Sequence, residues 1–257
     1  MSKRFRAKEI EVPGSPEEVW RTIATGPGHA TWLFPADIEP VEGGAMVIHR
    51  RPYGDDAQVT VTTWDPPHRF GFAEPIGLDA PALTTEFLVA TKRGGGCVVR
   101  VVSGLSDDGE GWEDLLDGAS EGWRMGLVVL RAYLTHFAGL SSSNFDVLAD
   151  TGLPHTDRAQ AFAGTAAFLG LTELTEGASF RMAELAGTVE HVSEGYALLR
   201  VTRPYSALFA ISCFPMGQGA ALTVNLLARL YGAPDGVAER ERVRWQTRLA
   251  EVRASFH

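Results

Sequence analysis

Cysteine is nearly absent from the chain. Cys97 and Cys213 are the two in 257 residues, each inside an apolar, strand-like run, and neither stands in metal-ligand spacing or in a CxxC pair. A disulfide framework, a structural zinc site and a dithiol redox motif all lack their residues, so both thiols are expected to be buried and free. Positive charge is also short: Lys plus Arg number 23 against 32 Asp plus Glu, a formal charge of −9 with a pI near 5.3. That field opposes a grip on nucleic-acid phosphates or on anionic lipid. The basic run Lys3, Arg4, Arg6, Lys8 alternates with other residues as a solvated strand face does. No stretch approaches the roughly 18 apolar residues of a membrane span, and the opening MSKRFRAKEIEV has no apolar core or cleavage site of an export signal. The expectation is a soluble cytoplasmic protein without nucleic-acid or membrane partners.

Catalytic motifs are missing as well. There is no Walker loop, no GxGxxG after a strand, no HExxH and no GxSxG, so nucleotide-dependent, zinc-protease and α/β-hydrolase chemistry lack their minimum parts. His29, His49, His68, His136, His155, His191 and His257 are scattered singly. No catalytic residue, metal or cofactor is assigned, although a carboxylate pair formed only by folding is invisible at this level.

What is present is an ordinary globular composition, 45% hydrophobic and 21% charged, able to bury a sizeable core. The length suits two modest domains. Phe5–Val12 alternates as a strand, and Ser15-Pro16-Glu17-Glu18 then carries a helix start: Ser15 as N-cap, Pro16 at the first helical position and Glu18 closing a capping box. A second short helical turn is expected around His29–Leu33. Six short β-rich runs follow, near Asp37–Val41, Ala45–Arg51, Gln58–Asp65, Arg69–Ala73, Leu83–Lys92 and Cys97–Ser103. Gly43-Gly44, Tyr53-Gly54-Asp55-Asp56, Asp65-Pro66-Pro67 and Gly94-Gly95-Gly96 separate them and suit tight antiparallel connections. Past a polar loop at Asp107–Gly111, Trp123, Leu127, Leu130, Leu134 and Phe137 recur at helical spacing within about Trp112–Phe137. An amphipathic helix of that kind must lie on something apolar, and the preceding sheet is the partner large enough.

The order β-α-α-β(6)-α is that of the helix-grip architecture, and particular residues resemble one branch of it. The run EVPGSPEEVWRTIATGPGHATWL, with Val19-Trp20 and Trp32, is similar to the opening of the Hsp90-ATPase-activator-like family of the START-like (SRPBCC) superfamily. Gly43-Gly44, Asp65-Pro66-Pro67-His68-Arg69-Phe70 and Glu121-Gly122-Trp123 with Leu127 and Leu130 resemble its later landmarks, and the match covers roughly residues 5–138. The resemblance implies an α+β helix-grip fold, a curved antiparallel sheet wrapped on a long C-terminal helix, with a cavity that in relatives holds lipids, polyketides, hormones or nothing identified. The co-chaperone role belongs to members with a further Hsp90-binding domain, for which this sequence has no match.

The expected organisation is a helix-grip domain over residues 1–140, a linker at Ser141-Ser142-Ser143-Asn144, and a smaller α+β lobe over 145–257. That lobe reads as a helix near Thr156–Leu169, strands between about Phe180 and Leu230, and a helix near Val237–Ser255. It also reads as a truncated repeat. At an offset of 122 residues Trp123-Arg124, Leu127, Leu130, Arg131 and Ala132 fall on Trp245-Gln246, Leu249, Val252, Arg253 and Ala254, and at an offset of 137 Pro66–Ala73 falls on Arg203–Ala210. Chance similarity between two amphipathic helices is the competing explanation.

Residues placed to look into a cavity between sheet and helix are Trp32, Phe34, Trp64, Phe72, Trp123, Leu127 and Leu130, with plain core as their alternative role. Glu86 and Arg100 each interrupt an apolar strand, the two strands being expected hairpin neighbours across Gly94–Gly96; inward they would orient a polar ligand group, and outward they would be a surface pair. The functional expectation is non-enzymatic binding of a small hydrophobic molecule. A cofactor-independent cyclase or hydratase and a protein-interaction module are the alternatives, and nothing in the sequence bears on oligomeric state.

Overall fold

The structure, a computed structural model, describes residues 5–77, 81–105, 112–171, 173–216 and 220–256; the Asp107–Gly111 loop lies outside them. The chain forms two compact units, Met1–Arg50 with Gly54–Gly139, and Arg51–Tyr53 with Leu140–His257.

The first unit has the helix-grip order. Strand β1 (Phe5–Val12) leads to α1 (Pro16–Ala24) and the single turn α2 (Gly26–His29). Then come β2 (Ala36–Ile38), β3 (Ala45–Ile48), β4 (Ala57–Asp65), β5 (Arg69–Pro75), β6 (Ala82–Thr91), β7 (Cys97–Leu105) and the long helix α3 (Glu113–His136). All pairings are antiparallel, in the order β1-β7-β6-β5-β4-β3-β2. The start of α1 is the capping box expected from sequence: Glu18 N–H donates to Ser15 Oγ at 3.2 Å, and Ser15 N–H to Glu18 Oε2 at 2.8 Å. The β6–β7 hairpin needs its glycines, because Gly94, Gly95 and Gly96 have φ of 94°, 105° and 78°, and a Cβ on Gly96 would stand 2.6 Å from the Val12 carbonyl oxygen. Helix α3 lies on β1 and β7 with Leu127, Leu130, Leu134 and Phe137 buried. Strand ends differ from the sequence reading by a few residues, most at β2 and β3, which end at Ile38 and Ile48 rather than Val41 and Arg51.

The second unit repeats this plan with one strand fewer. Strand β8 (Ser142–Asp150) is followed by a 3₁₀ turn at His155–Asp157 and α4 (Arg158–Phe168). Next are β9 (Ser179–Met182), β10 (Leu185–Ser193), β11 (Tyr196–Arg203), β12 (Ser206–Pro215), β13 (Leu222–Tyr231) and α5 (Val237–Ala250). The sheet order β8-β13-β12-β11-β10-β9 matches that of the first unit with β8 in the place of β1 and no counterpart of β2. Both sheets also carry a bulge in the matching strand, after Val61 in β4 and after Val189 in β10. The core of this unit gathers Phe145, Phe209, Trp245, Leu199, Met182 and Val224 among others.

Two expectations need correction. Ser142, Ser143 and Asn144 are not linker but the first residues of β8, paired with Tyr231, Leu230 and Arg229. Small polar residues satisfy a ladder as well as a coil, since the bonds come from the backbone. The offset of 137 residues between Pro66–Ala73 and Arg203–Ala210 joins unlike places, because the first is the β4–β5 turn and the second the β11–β12 turn, equivalent to β5–β6. Both cysteines are buried and free, as expected, and burial pushes the Cys213 thiol up to about 11.

Candidate functional site

Strand alternation decides which side chains of the first unit share the face covered by α1 and α3. On β5 and β6 that face carries Phe70, Phe72 and Phe87, all buried. Strand β4 would send Val59, Val61 and Thr63 to the same side. The bulge leaves Thr62 as an extra residue, so that Val61 pairs with Phe72 but Trp64 with Phe70, and Trp64 turns inward in place of Thr63.

The result is a connected aromatic wall. Trp64 meets Trp20 of α1 at 5.2 Å and Phe70 at 5.6 Å between ring centres; Phe70 stacks on Phe87 at 6.1 Å; Phe87 receives Trp32 at 6.2 Å and Trp123 of α3 at 5.2 Å, both edge-on. Edge-to-face and offset contacts at these spacings are the favoured aromatic geometries. Trp32 is anchored further by its indole N–H, which donates to the Thr22 carbonyl at 3.1 Å.

The sequence candidates divide into three groups. Trp32, Phe72, Leu127 and Leu130 are packed core, Leu127 at 2% exposure and Leu130 at 0%. Phe34, Trp64 and Trp123 are half-buried, so Trp123 is less enclosed than the helix spacing implies. Glu86 and Arg100 lie on the other face. Glu86 alternates with buried Thr85 and Phe87 and takes Arg69 as its partner at 2.6 Å; Arg100 alternates with buried Val99 and Val101 and is exposed. Their register also forbids direct opposition, since Glu86 faces Val102 and Arg100 faces Leu88. Both therefore lie outside the candidate site, facing outward as the second alternative has it, but not as a pair with each other, because Glu86 is taken by Arg69.

A different acid–base pair stands on the inner side. Glu74 shares the parity of Phe70 and Phe72 on β5, and its Oε1 accepts from Arg50 Nη2 at 2.6 Å. Arg50, two residues past β3, also donates from Nε to the Asp55 carbonyl at 3.2 Å. Side-chain exposure is 35% for Arg50 and 16% for Glu74, so the pair is partly reachable. The signal for both was present in the sequence as a period of two, Glu74 from Phe70 and Phe72, and Arg50 from Met46 and Ile48 in the run expected to reach Arg51, although the strand itself ends at Ile48. Trp20, in the sequence a member of a helix stripe, and Phe70, in the sequence part of a turn motif, both belong to the wall. Among the described residues no group of three or more His, Cys, Asp or Glu is placed to hold a metal, and no helix is long and apolar enough to cross a membrane.

Residues 13–135 match the family model "Activator of Hsp90 ATPase homolog 1-like protein". No curated protein sequence matches the chain. Among solved structures, protein MLL2253 from Mesorhizobium loti is 19% identical with a TM-score of 0.47, over 52% of this chain and 98% of its own. Two others align over nearly the whole chain. BexL, the di-domain ARO/CYC from the BE-7585A biosynthetic pathway, is 16% identical with a TM-score of 0.46, over 98% of each chain. DynU16, from the dynemicin biosynthetic locus, is 15% identical with a TM-score of 0.45, over 98% of this chain and 97% of its own. By the family model and by its own strand order, the segment 13–135 is a domain of the Activator of Hsp90 ATPase homolog 1-like family, with the helix-grip fold.

Proposed function

We propose that the first unit binds a small hydrophobic molecule with an aromatic or otherwise flat body against the inner face of its sheet. The observation that carries this reading is the gradient along the aromatic wall. Trp32, Phe70 and Phe87 are sealed, while Trp64 and Trp123, which touch Phe70 and Phe87, keep part of their surface open. Flat apolar surface left partly open beside a sealed core gains free energy when a ligand covers it, about 25 cal/mol for each Å² removed from water. The wall also keeps its shape without a ligand, since each ring is held by another ring or by a backbone bond.

The test is titration of the chain with the neutral dye N-phenyl-1-naphthylamine, read by its fluorescence gain. Saturable binding at about one dye per chain is expected, weakened about tenfold by Trp64→Ala and by Trp123→Ala, the scale of losing one well-packed aromatic contact. Binding that does not saturate, or that both variants leave unchanged, refutes the proposal and favours a protein-interaction role for the exposed rings. A second reading, a cofactor-independent enzyme acting on the same molecule, is supported by the inward carboxylate of Glu74 beside a guanidinium. Once a ligand is found, its conversion over time by the parent chain and not by Glu74→Gln separates catalysis from binding.

A further inference from the structure

We infer that Arg50 is the polar anchor of this site and that the ligand presents to it a neutral carbonyl oxygen. The inference rests on the proposed binding role and gives its ligand a chemistry. A guanidinium carries five N–H donors. Those of Arg50 engage Glu74 through Nη2 and the Asp55 carbonyl through Nε, and no partner among the described residues takes the Nη1 donors. The side chain is 35% exposed, so those donors face solvent that a ligand oxygen can replace.

Position and charge narrow the ligand further. Glu74 stands two residues from Phe72 and four from Phe70, the ring opposite Trp64, about 13 Å from Phe70 along β5 at strand rise, so the ion pair lies beyond Phe72 on the same face as the aromatic wall. An aromatic molecule lying on the wall with a carbonyl at its edge spans both. Because Glu74 already balances the charge of Arg50, a carboxylate on the ligand would add an uncompensated negative charge next to Glu74. A ketone or other neutral carbonyl takes the free donors without that cost.

The experiment compares three probes of one shape in displacing N-phenyl-1-naphthylamine: 2-acetylnaphthalene, 2-isopropylnaphthalene and 2-naphthoate. The parent chain is expected to bind the ketone about tenfold more tightly than the hydrocarbon, the worth of one charge-assisted hydrogen bond, and the carboxylate no more tightly than the ketone. Arg50→Met should bring the ketone down to the hydrocarbon while hydrocarbon affinity stays. Glu74→Gln should raise affinity for the carboxylate above that for the ketone. Circular dichroism and melting of both variants show whether they fold; should Arg50→Met not fold, Arg50→Lys serves, with the ketone preference reduced because the fork of donors is lost. A ketone preference that survives Arg50→Met overturns the anchor and leaves the binding role standing. Tighter binding of the carboxylate by the parent overturns the carbonyl assignment. Failure of all three probes to displace the dye overturns the inference together with the site on which it rests.

Discussion

Trp123 of α3 stands edge-on to Phe87 of β6, ring centres 5.2 Å apart at an interplanar angle of 86°. The second unit holds the same pair: Trp245 of α5 meets Phe209 of β12 at 5.8 Å and 77°, and both partners are displaced by 122 residues. Helix-to-sheet distance is set at the same point in both units by the same two ring types, which accounts for the match between the helices. What differs is enclosure, since Trp245 is 3% exposed whereas Trp123 is half-buried.

That difference predicts unequal costs. Trp245→Ala should destabilise by about 3–5 kcal/mol, the range for a buried aromatic with a residual cavity. Trp123→Ala should cost less yet weaken the dye, and Trp245→Ala, if folded, should leave dye binding unchanged. Equal melting shifts for the two would mean that Trp123 is as sealed as its counterpart.

Moving Glu86 and Arg100 out of the site is equally open to measurement. Glu86→Gln breaks an ion pair with Arg69 whose arginine is half in water, and such pairs contribute about 0–1 kcal/mol. Neither Glu86→Gln nor Arg100→Gln should alter dye affinity. A loss of dye binding with either would return these residues to the inner face.

Arg229 of β13 and Asp146 of β8 form an ion pair with side chains 0% and 6% exposed, Nη1 to Oδ1 at 2.7 Å. Asp146→Ala strands a guanidinium in low dielectric and should cost about 3–5 kcal/mol. Replacing both, Asp146→Leu with Arg229→Met, should recover most of that loss, because the apolar pair needs no charge compensation. If the double variant is no better than the single one, the arginine has a further role that the ion pair does not explain.

His49 is held between Asp56 at 2.9 Å from Nδ1 and Asp37 at 3.1 Å from Nε2. The hydrogen bond to Asp56, then that to Asp37, raises its imidazole above the ordinary 6.5. A group raised on folding stabilises the native state fully below its unfolded value, and this is lost as the pH climbs through the raised one. The melting temperature should therefore fall from pH 6 to pH 8 by more in the parent than in His49→Asn. Parallel curves would show that the imidazolium is not part of the folded balance.

Much of the first unit was legible because it is written in local chemistry. Ser15, Pro16 and Glu18 cap a helix through bonds three residues apart, glycines at 94–96 accept a backbone that other residues resist, and the stripe from Trp123 to Phe137 follows the helical period. Each depends on a few neighbours along the chain, so spacing alone is enough.

The tertiary structure decided the rest, because it depends on which residues lie opposite one another. Trp64 faces the helices as the sequence reading has it, but through one extra residue at Thr62, since the alternation from Val59 by itself points to Thr63. The inward acid–base pair is Arg50 with Glu74, brought from positions 24 apart by the folding of β4 between them, while Glu86 and Arg100 take the outer face and separate partners. The sequence by itself determined the elements, their order and the apolar side of the long helix. Register, the bulge and the meeting of Arg50 with Glu74 were decided only in three dimensions, since a slip of one residue in a strand reverses every side chain on it.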